Sequence, residues 1–328
     1  MKKLSNTDYQ LFKSILSLDQ KGLSKVLKKY LKKKYDDVRE SDAYLYAVGN
    51  IPVALVAHMD TVFDKPPKSI YYDKEQGVMW SPDGLGADDR AGVFAILNIL
   101  STTDLRPSVI FTTDEEMGGI GAKRLASEIK APIYPINFFI ELDRCGINDC
   151  VFYDGDNSDF VDFIEDFGFS EAWGSFSDIS VLSPAWQILG VNLSIGYDDE
   201  HSYSETLKVP HMLNTIQKVK KILSLNNFPQ FEYREYKYWK SKTYSKYDDT
   251  LFFTDYIEEC DNCGALAYTY EMIPVKTIRN DNELEYLCAE CAEKEIDWCI
   301  KCGNPYLVEE SLTNMDICPY CATGREKL

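Results

Sequence analysis

Only three histidines occur among the 328 residues, and two of them stand beside acidic groups where an apolar run gives way to a loop. His58 closes the run VALVAH and is followed two residues later by Asp60. In an extended strand both side chains lie on one side, so the carboxylate can orient the imidazole ring. GLGADDRAG then places Asp88 and Asp89 behind two glycines at the mouth of a helical stretch; taken alone, aspartates there also serve as helix caps. VIFTTDEEMGG brings Glu115 and Glu116 together just past a strand end, Asp143 follows INFFIEL, and His201 lies in SIGYDDEHSYSETL. Imidazole and carboxylate are groups that zinc accepts, with other divalent metals as alternatives. Five candidate ligands, His58, Asp88, Glu116, Asp143 and His201, therefore point to metal-assisted hydrolysis.

These residues need a scaffold that gathers strand ends. Strand-like runs at 43–48, 53–57, 108–112, 136–142 and 191–195 alternate with helical stretches at 91–101, 122–128, 159–167 and 210–225. Such alternation predicts an α/β fold, a mainly parallel mixed sheet with helices on both faces. Ligands bind such sheets beyond the carboxyl ends of the strands, where the five candidates fall. Residues 8–34 read as one or two amphipathic helices covering a sheet edge, and 70–80 as a hairpin turning over 73–77. His211 sits inside a helical pattern and is read as structural.

The net charge of -18 argues against a nucleic-acid partner, which calls for clustered lysine and arginine. No apolar run approaches 18 residues, and Met1-Lys2-Lys3-Leu4 passes at once into polar sequence. Neither a membrane span nor a secretory leader is expected, and a cytoplasmic location follows. A catalytic domain is expected over 1–228, with the N-terminal helices within 1–40. Residues 229–250 form a connector in which FEYREYKYWKSKTYSKY interleaves aromatic and basic residues, suited to packing on a domain face or to stacking on single-stranded nucleic acid.

Residues 251–328 hold four Cys-x-x-Cys pairs: Cys260/Cys263, Cys288/Cys291, Cys299/Cys302 and Cys318/Cys321. Two such pairs complete a tetrahedron, so two structural zinc ions are expected in a ribbon-like module. Sequential pairing is favoured, while the 7 residues between Cys291 and Cys299 leave a cross-braced arrangement open. With 16 acidic against 6 basic residues, the module suits a folding staple, a protein partner or self-association better than phosphate. Cys145 and Cys150 are expected to be free thiols.

The order His-x-Asp, Gly-x-Asp-Asp-Arg-Ala-Gly, Asp-Glu-Glu-x-Gly, Asp, His resembles the co-catalytic two-zinc exopeptidase superfamily of aminopeptidases, tripeptidases, carboxypeptidases and acyl-amino-acid deacylases. The resemblance spans roughly 40–225. It implies that His58 and Asp143 bind one zinc, that Glu116 and His201 bind the other, and that Asp88 bridges them. It also implies that Asp60 orients His58 and that Glu115 is the general base and acid for a metal-bridging hydroxide. A cis peptide between Asp88 and Asp89 is implied as well, and Ser177 and Asp178 fall near the rim of the site. Some branches carry an inserted domain, but only 57 residues lie between Asp143 and His201 and 29 between His58 and Asp88. The compact aminopeptidase branch fits best. Asp198, Asp199 and Glu200 beside His201 could attract a peptide's amino terminus or, equally, form a solvated loop. A deacylase or carboxypeptidase with the same site is the alternative within the class; a non-catalytic protein-binding module on a peptidase fold is the alternative outside it.

Overall fold

The computed structural model describes residues 3–153, 155, 157–234, 257–268, 273–276, 284–298, 305–308, 317–319 and 322. The chain divides into two compact units, Met1–Lys240 and Ser241–Leu328.

The first unit opens with α1 (Asn6–Leu16) and α2 (Gln20–Leu31), capped by the side chains of Ser5 and Asp19. The strands that follow are β1 (Val38–Glu40), β2 (Tyr44–Ala47), β3 (Ile51–His58), and the hairpin β4 (Tyr71–Asp73) and β5 (Val78–Trp80). After α3 (Ala87–Thr102) come β6 (Pro107–Thr112), α4 (Ile120–Glu128), β7 (Phe138–Arg144), β8 (Asp149–Val151), α5 (Ser158–Glu165) and β9 (Ser170–Glu171). The unit continues with α6 (Asp178–Trp186), β10 (Leu189–Ser194), β11 (Tyr197–Asp198), β12 (Thr206–Lys208) and α7 (Val209–Leu223).

Among the described residues eight strands form one sheet in the order β1-β2-β6-β3-β7-β10-β8-β9. The four central strands, β6, β3, β7 and β10, run parallel, which leaves their carboxyl ends side by side. They are buried on both faces and so read as continuous apolar runs. Residues from α1, α2, α3 and α7 cover one face and residues from α4 and α6 the other. The expected α/β architecture is therefore the observed one. A smaller antiparallel sheet has the order β11-β12-β5-β4 and contains the expected hairpin, with Gly77 at φ 75° in its turn.

Two details differ from expectation, and a third narrows it. The N-terminal helices do more than cover an edge: α2 packs on β2, but α1 packs on α3, with the Phe12 and Phe94 rings 5.0 Å apart. The short helix α6 carries Pro184 inside it, which hides its helical character in the sequence. Phe231, at the start of the aromatic-basic stretch, packs among Phe138, Phe160 and Phe163. Packing against a domain face is thus what the described part of that stretch does, and 235–250 lie outside the described residues.

At Gly92 an added Cβ would lie 2.2 Å from the Leu142 carbonyl and 2.3 Å from Asp89 Oδ1, so glycine alone lets α3 approach β7 this closely. Arg90 then reaches back under the N-terminal helices, its Nη1 donating to the carbonyls of Ile15 at 2.9 Å and Leu18 at 2.8 Å. Among the described residues no helix is long and apolar enough to cross a membrane.

Among its described residues the second unit contains three two-stranded antiparallel ladders: β13 (Ile257–Glu259) with β14 (Leu266–Tyr268), β15 (Ile273–Lys276) with β16 (Leu284–Leu287), and β17 (Ile296–Trp298) with β18 (Pro305–Leu307). The helix α8 (Ala289–Glu295) follows β16.

Replacing Arg90 by leucine should lower stability by about 1–3 kcal/mol, because the buried Ile15 carbonyl and the half-buried Leu18 carbonyl lose the guanidinium's hydrogen bonds. Urea denaturation of R90L should show an earlier midpoint with a similar slope; an unchanged midpoint would contradict the bracing role.

Candidate metal centre

Register alone brings the polar groups together. His58 is paired with Thr112 across β3 and β6, Val56 with Glu141 across β3 and β7, and Glu141 with Asn192 across β7 and β10. Asp143 follows within the register irregularity of β7 between Glu141 and Arg144, where strict alternation of sides is broken. Polar side chains therefore line up along the carboxyl ends of the parallel strands, above an apolar core.

His58 Nε2 lies 3.2 Å from Asp88 Oδ1 and 3.4 Å from Asp143 Oδ1. His201 Nε2 lies 3.0 Å from Asp88 Oδ2 and 3.0 Å from Glu116 Oε2. The two oxygens of Asp88 thus face two different groups, His58 with Asp143 and His201 with Glu116. All five residues singled out in the sequence meet here, and Glu115 Oε2 is 4.0 Å from His58 Nε2. His58 is buried, whereas the His201 side chain is 54% exposed and marks the open side.

Asp60 holds two parts of the site together. Its Oδ1 lies 3.2 Å from His58 Nδ1, and its two oxygens accept the backbone N–H groups of Glu115 at 3.1 Å and Glu116 at 3.0 Å. Histidine orientation and acidic-loop position therefore depend on one carboxylate. The Asp88–Asp89 peptide is cis, as the resemblance implied. Asp89, whose carboxylate also comes within 4.8 Å of ligand atoms of His58 and Asp143, accepts the N–H groups of His58 at 3.2 Å and Gly92 at 2.9 Å.

Several supporting residues carry no spacing signal in the sequence. Glu205, buried, accepts from the N–H groups of Gly86 at 2.5 Å and Asp88 at 3.0 Å. Its separation of four residues from His201 was the one available hint. Asn192 accepts from the Asp143 N–H and donates to the Asp143 carbonyl, and Tyr197 and Ser177 donate to the Asp143 carboxylate. Asp178, whose place at the rim was left without a role, is fully buried and accepts a short hydrogen bond from the Thr112 hydroxyl. Gln20 forms a two-bond amide contact with Asp114, donating to Oδ1 at 2.9 Å and accepting the backbone N–H at 3.1 Å. Asp198 is ion-paired with Lys208, so it is not the free acidic attractor expected beside His201.

Electrostatics favour bound cations. Burial, with Asp143 and Asp178 nearby, pushes the Glu115 carboxyl up to about 9, against the opposing pull of His58. Burial likewise raises Asp143 to about 7. Burial and the charges of Asp143 and Asp178 raise Glu141, whose two oxygens make no hydrogen bond of normal geometry. Hydrogen bonds to Asp88 and Glu116 raise His201 to about 11. Glu116 Oε1 is also buried without a hydrogen-bond partner. Crowded acids that resist ionisation, an orphaned carboxylate oxygen and two imidazoles form a donor set that fits a pair of divalent cations.

Cys260, Cys263, Cys288 and Cys291 meet in the second unit, with their sulfurs all within 4.8 Å of one another. Cys318 is buried, while Cys299, Cys302 and Cys321 lie outside the described residues. Cys145 and Cys150 are free thiols held above the ordinary thiol range by burial, Cys145 at about 11 and Cys150 at about 12. His211, on α7, stands apart from the cluster.

Residues 45–165 match the profile of Peptidase family M28. No curated protein matches the chain. Among solved structures, a tripeptidase from Staphylococcus aureus subsp. aureus Mu50 is similar at TM-score 0.55 and 16% identity, covering 66% of this chain and 96% of that one. Aminopeptidase PepT from Bacillus cereus ATCC 10987 is similar at 0.53 and 16%, covering 66% and 97%. An aminopeptidase from the archaeon Desulfurococcus kamchatkensis is similar at 0.51 and 14%, covering 65% and 93%. At such identities the structural likenesses speak to the fold, and the family profile speaks to the chemistry. The match over 45–165 and the fold shared with these peptidases together support a metallopeptidase of the co-catalytic zinc exopeptidase kind.

Proposed function

We propose that this chain is a two-zinc aminopeptidase acting on short peptides. The observation that carries the reading is the division of the Asp88 carboxylate between His58 with Asp143 and His201 with Glu116, with Glu115 beside the first group. His58 and Asp143 would hold one zinc, His201 and Glu116 the other, and Asp88 both. Zinc held there supplies Lewis acidity, making water more acidic and an amide carbonyl more electrophilic.

The chain's own groups do the rest. Glu115 takes a proton from the attacking water on its carboxylate and returns it to the leaving nitrogen, so that water and amide become acid and amine. Asp60 keeps His58 in the required tautomer and holds the Glu115–Glu116 backbone. Ser177, Tyr197 and Asn192 fix Asp143 in place.

The shape of the site supports a peptide substrate. On the Glu116 side lies a cavity of about 580 Å³, within the roughly 300–1,000 Å³ of small-ligand clefts. Its walls include loop 61–67, Gly86, Met117 and the α1–α2 turn at 18–21, leaving room for the peptide beyond the scissile bond.

Glu115→Gln should lower kcat by roughly 10²–10⁴-fold with zinc content unchanged, the usual worth of a general base; full activity in this variant would refute the assignment. Free-amine di- and tripeptides should be cleaved and their N-acetylated counterparts spared, with activity lost to chelation and restored by zinc. Cleavage confined to blocked substrates would instead identify a deacylase, and release of carboxyl-terminal residues a carboxypeptidase. Gln20→Ala, which removes both hydrogen bonds to Asp114 next to the base, should cut kcat roughly tenfold, equivalent to about 1.4 kcal/mol. A change confined to KM would show that Gln20 only walls the cavity.

A further inference from the structure

We propose that Cys260, Cys263, Cys288 and Cys291 share one zinc ion, closed and structural, so that the first Cys-x-x-Cys pair is joined to the second and not to the third. The cysteines reach this point from two different local structures. Cys260 directly follows β13 and Cys263 sits at the tip of the β13–β14 hairpin; the N–H of Gly264 bonds the Cys260 carbonyl at 2.8 Å and the Cys260 N–H bonds that of Ala265 at 2.9 Å. Gly264 has φ +70°, a backbone state that favours glycine and lets the chain reverse behind Cys263. Cys288 instead caps the N-terminus of α8, and Cys291 lies in that helix's first turn.

The two structures are joined by hydrogen bonds that bear directly on the sulfurs. The Cys288 N–H donates to Cys260 Sγ at 3.3 Å. The Asp261 N–H donates to the Tyr286 carbonyl at 3.1 Å, and the Tyr286 N–H to Asp261 Oδ2 at 2.7 Å. Backbone N–H groups aimed at a sulfur stabilise a thiolate, the form in which cysteine binds metal.

Distances separate a metal site from a disulfide. Cys263 Sγ and Cys288 Sγ are 3.8 Å apart, nearly twice a disulfide bond of about 2.05 Å. A tetrahedron with Zn–S bonds of about 2.3 Å has S···S edges of about 3.8 Å. All four sulfurs lie within 4.8 Å of one another, so one ion reaches them together. Four protein thiolates leave no position for water or substrate, and this fixes the ion's role as structural. Soft sulfur donors in tetrahedral array select zinc or iron, and a colourless protein distinguishes the two.

Among the described residues Val275, Leu287, Ala292 and Leu307 are the buried apolar residues grouped with Cys260 and Cys291. A metal held by these cysteines would therefore tie together the side chains packed around them.

The test uses the full-length chain with cadmium-113 in place of zinc. One cadmium resonance should couple to the β-protons of Cys260, Cys263, Cys288 and Cys291 together. Coupling of the first and second pairs to two different resonances would overturn the proposal in favour of cross-bracing. In parallel, a variant with all four cysteines changed to serine should lose one zinc per chain by mass spectrometry; no loss would also overturn it, as would iron in the native protein. Hydrolysis of a free-amine peptide, read on the same samples, reports separately on the catalytic unit.

Discussion

Negative charge is buried at the carboxyl ends of β3, β6 and β7 in amounts the unit could not hold without countercharge. Asp88, Asp143, Glu115, Glu116, Glu141 and Asp178 crowd above an apolar sheet, with His58 and His201 as the imidazoles among them. Burial pushes several of these acids upward in pKa, which is the electrostatic form of a demand for cations. The surrounding structure answers the same demand with dipoles: backbone N–H groups aimed at Asp60, Asp89 and Glu205, and hydroxyl and amide groups aimed at Asp143.

That demand explains why the N-terminal helices belong to the site as much as to the core. Arg90, two residues past Asp88, is tied to the end of α1, and Gln20, at the start of α2, is tied to the residue before Glu115. The two halves of the acidic cluster are therefore fastened to one helical turn. The family profile begins at residue 45, so the helical side of this fastening precedes the matched segment while Arg90 and Asp114 lie within it.

The main lines of the fold and the residues that converge were legible because each sits where a strand's apolar run ends, a signal carried by residue type and position alone. His58, Asp143 and the Glu115–Glu116 pair all show it. What escaped the sequence was support by groups without periodicity: Glu205 reaches across more than a hundred residues to the N–H of Asp88, and Gln20 across ninety-four to Asp114. Pro184 concealed α6, and with it the reason Asp178 is buried. Asp198 looked like a free acid because its partner Lys208 lies on the neighbouring strand of the small sheet, a pairing made by β11 and β12 and not by adjacency in the chain.

On the proposed two-zinc reading, the shared carboxylate of Asp88 would have a thermodynamic consequence. Two cations that each engage one oxygen of a single side chain cannot be taken up independently. The first to arrive would fix the rotamer and charge that the second encounters, and would add its own repulsion. Occupancy of the two positions would then be linked by a coupling free energy, and by reciprocity whatever loosened one ion would change the affinity for the other by the same factor. His201, on the exposed side, would be where solvent and competing ligands enter that linkage, with one carboxyl group carrying it to the buried position at His58.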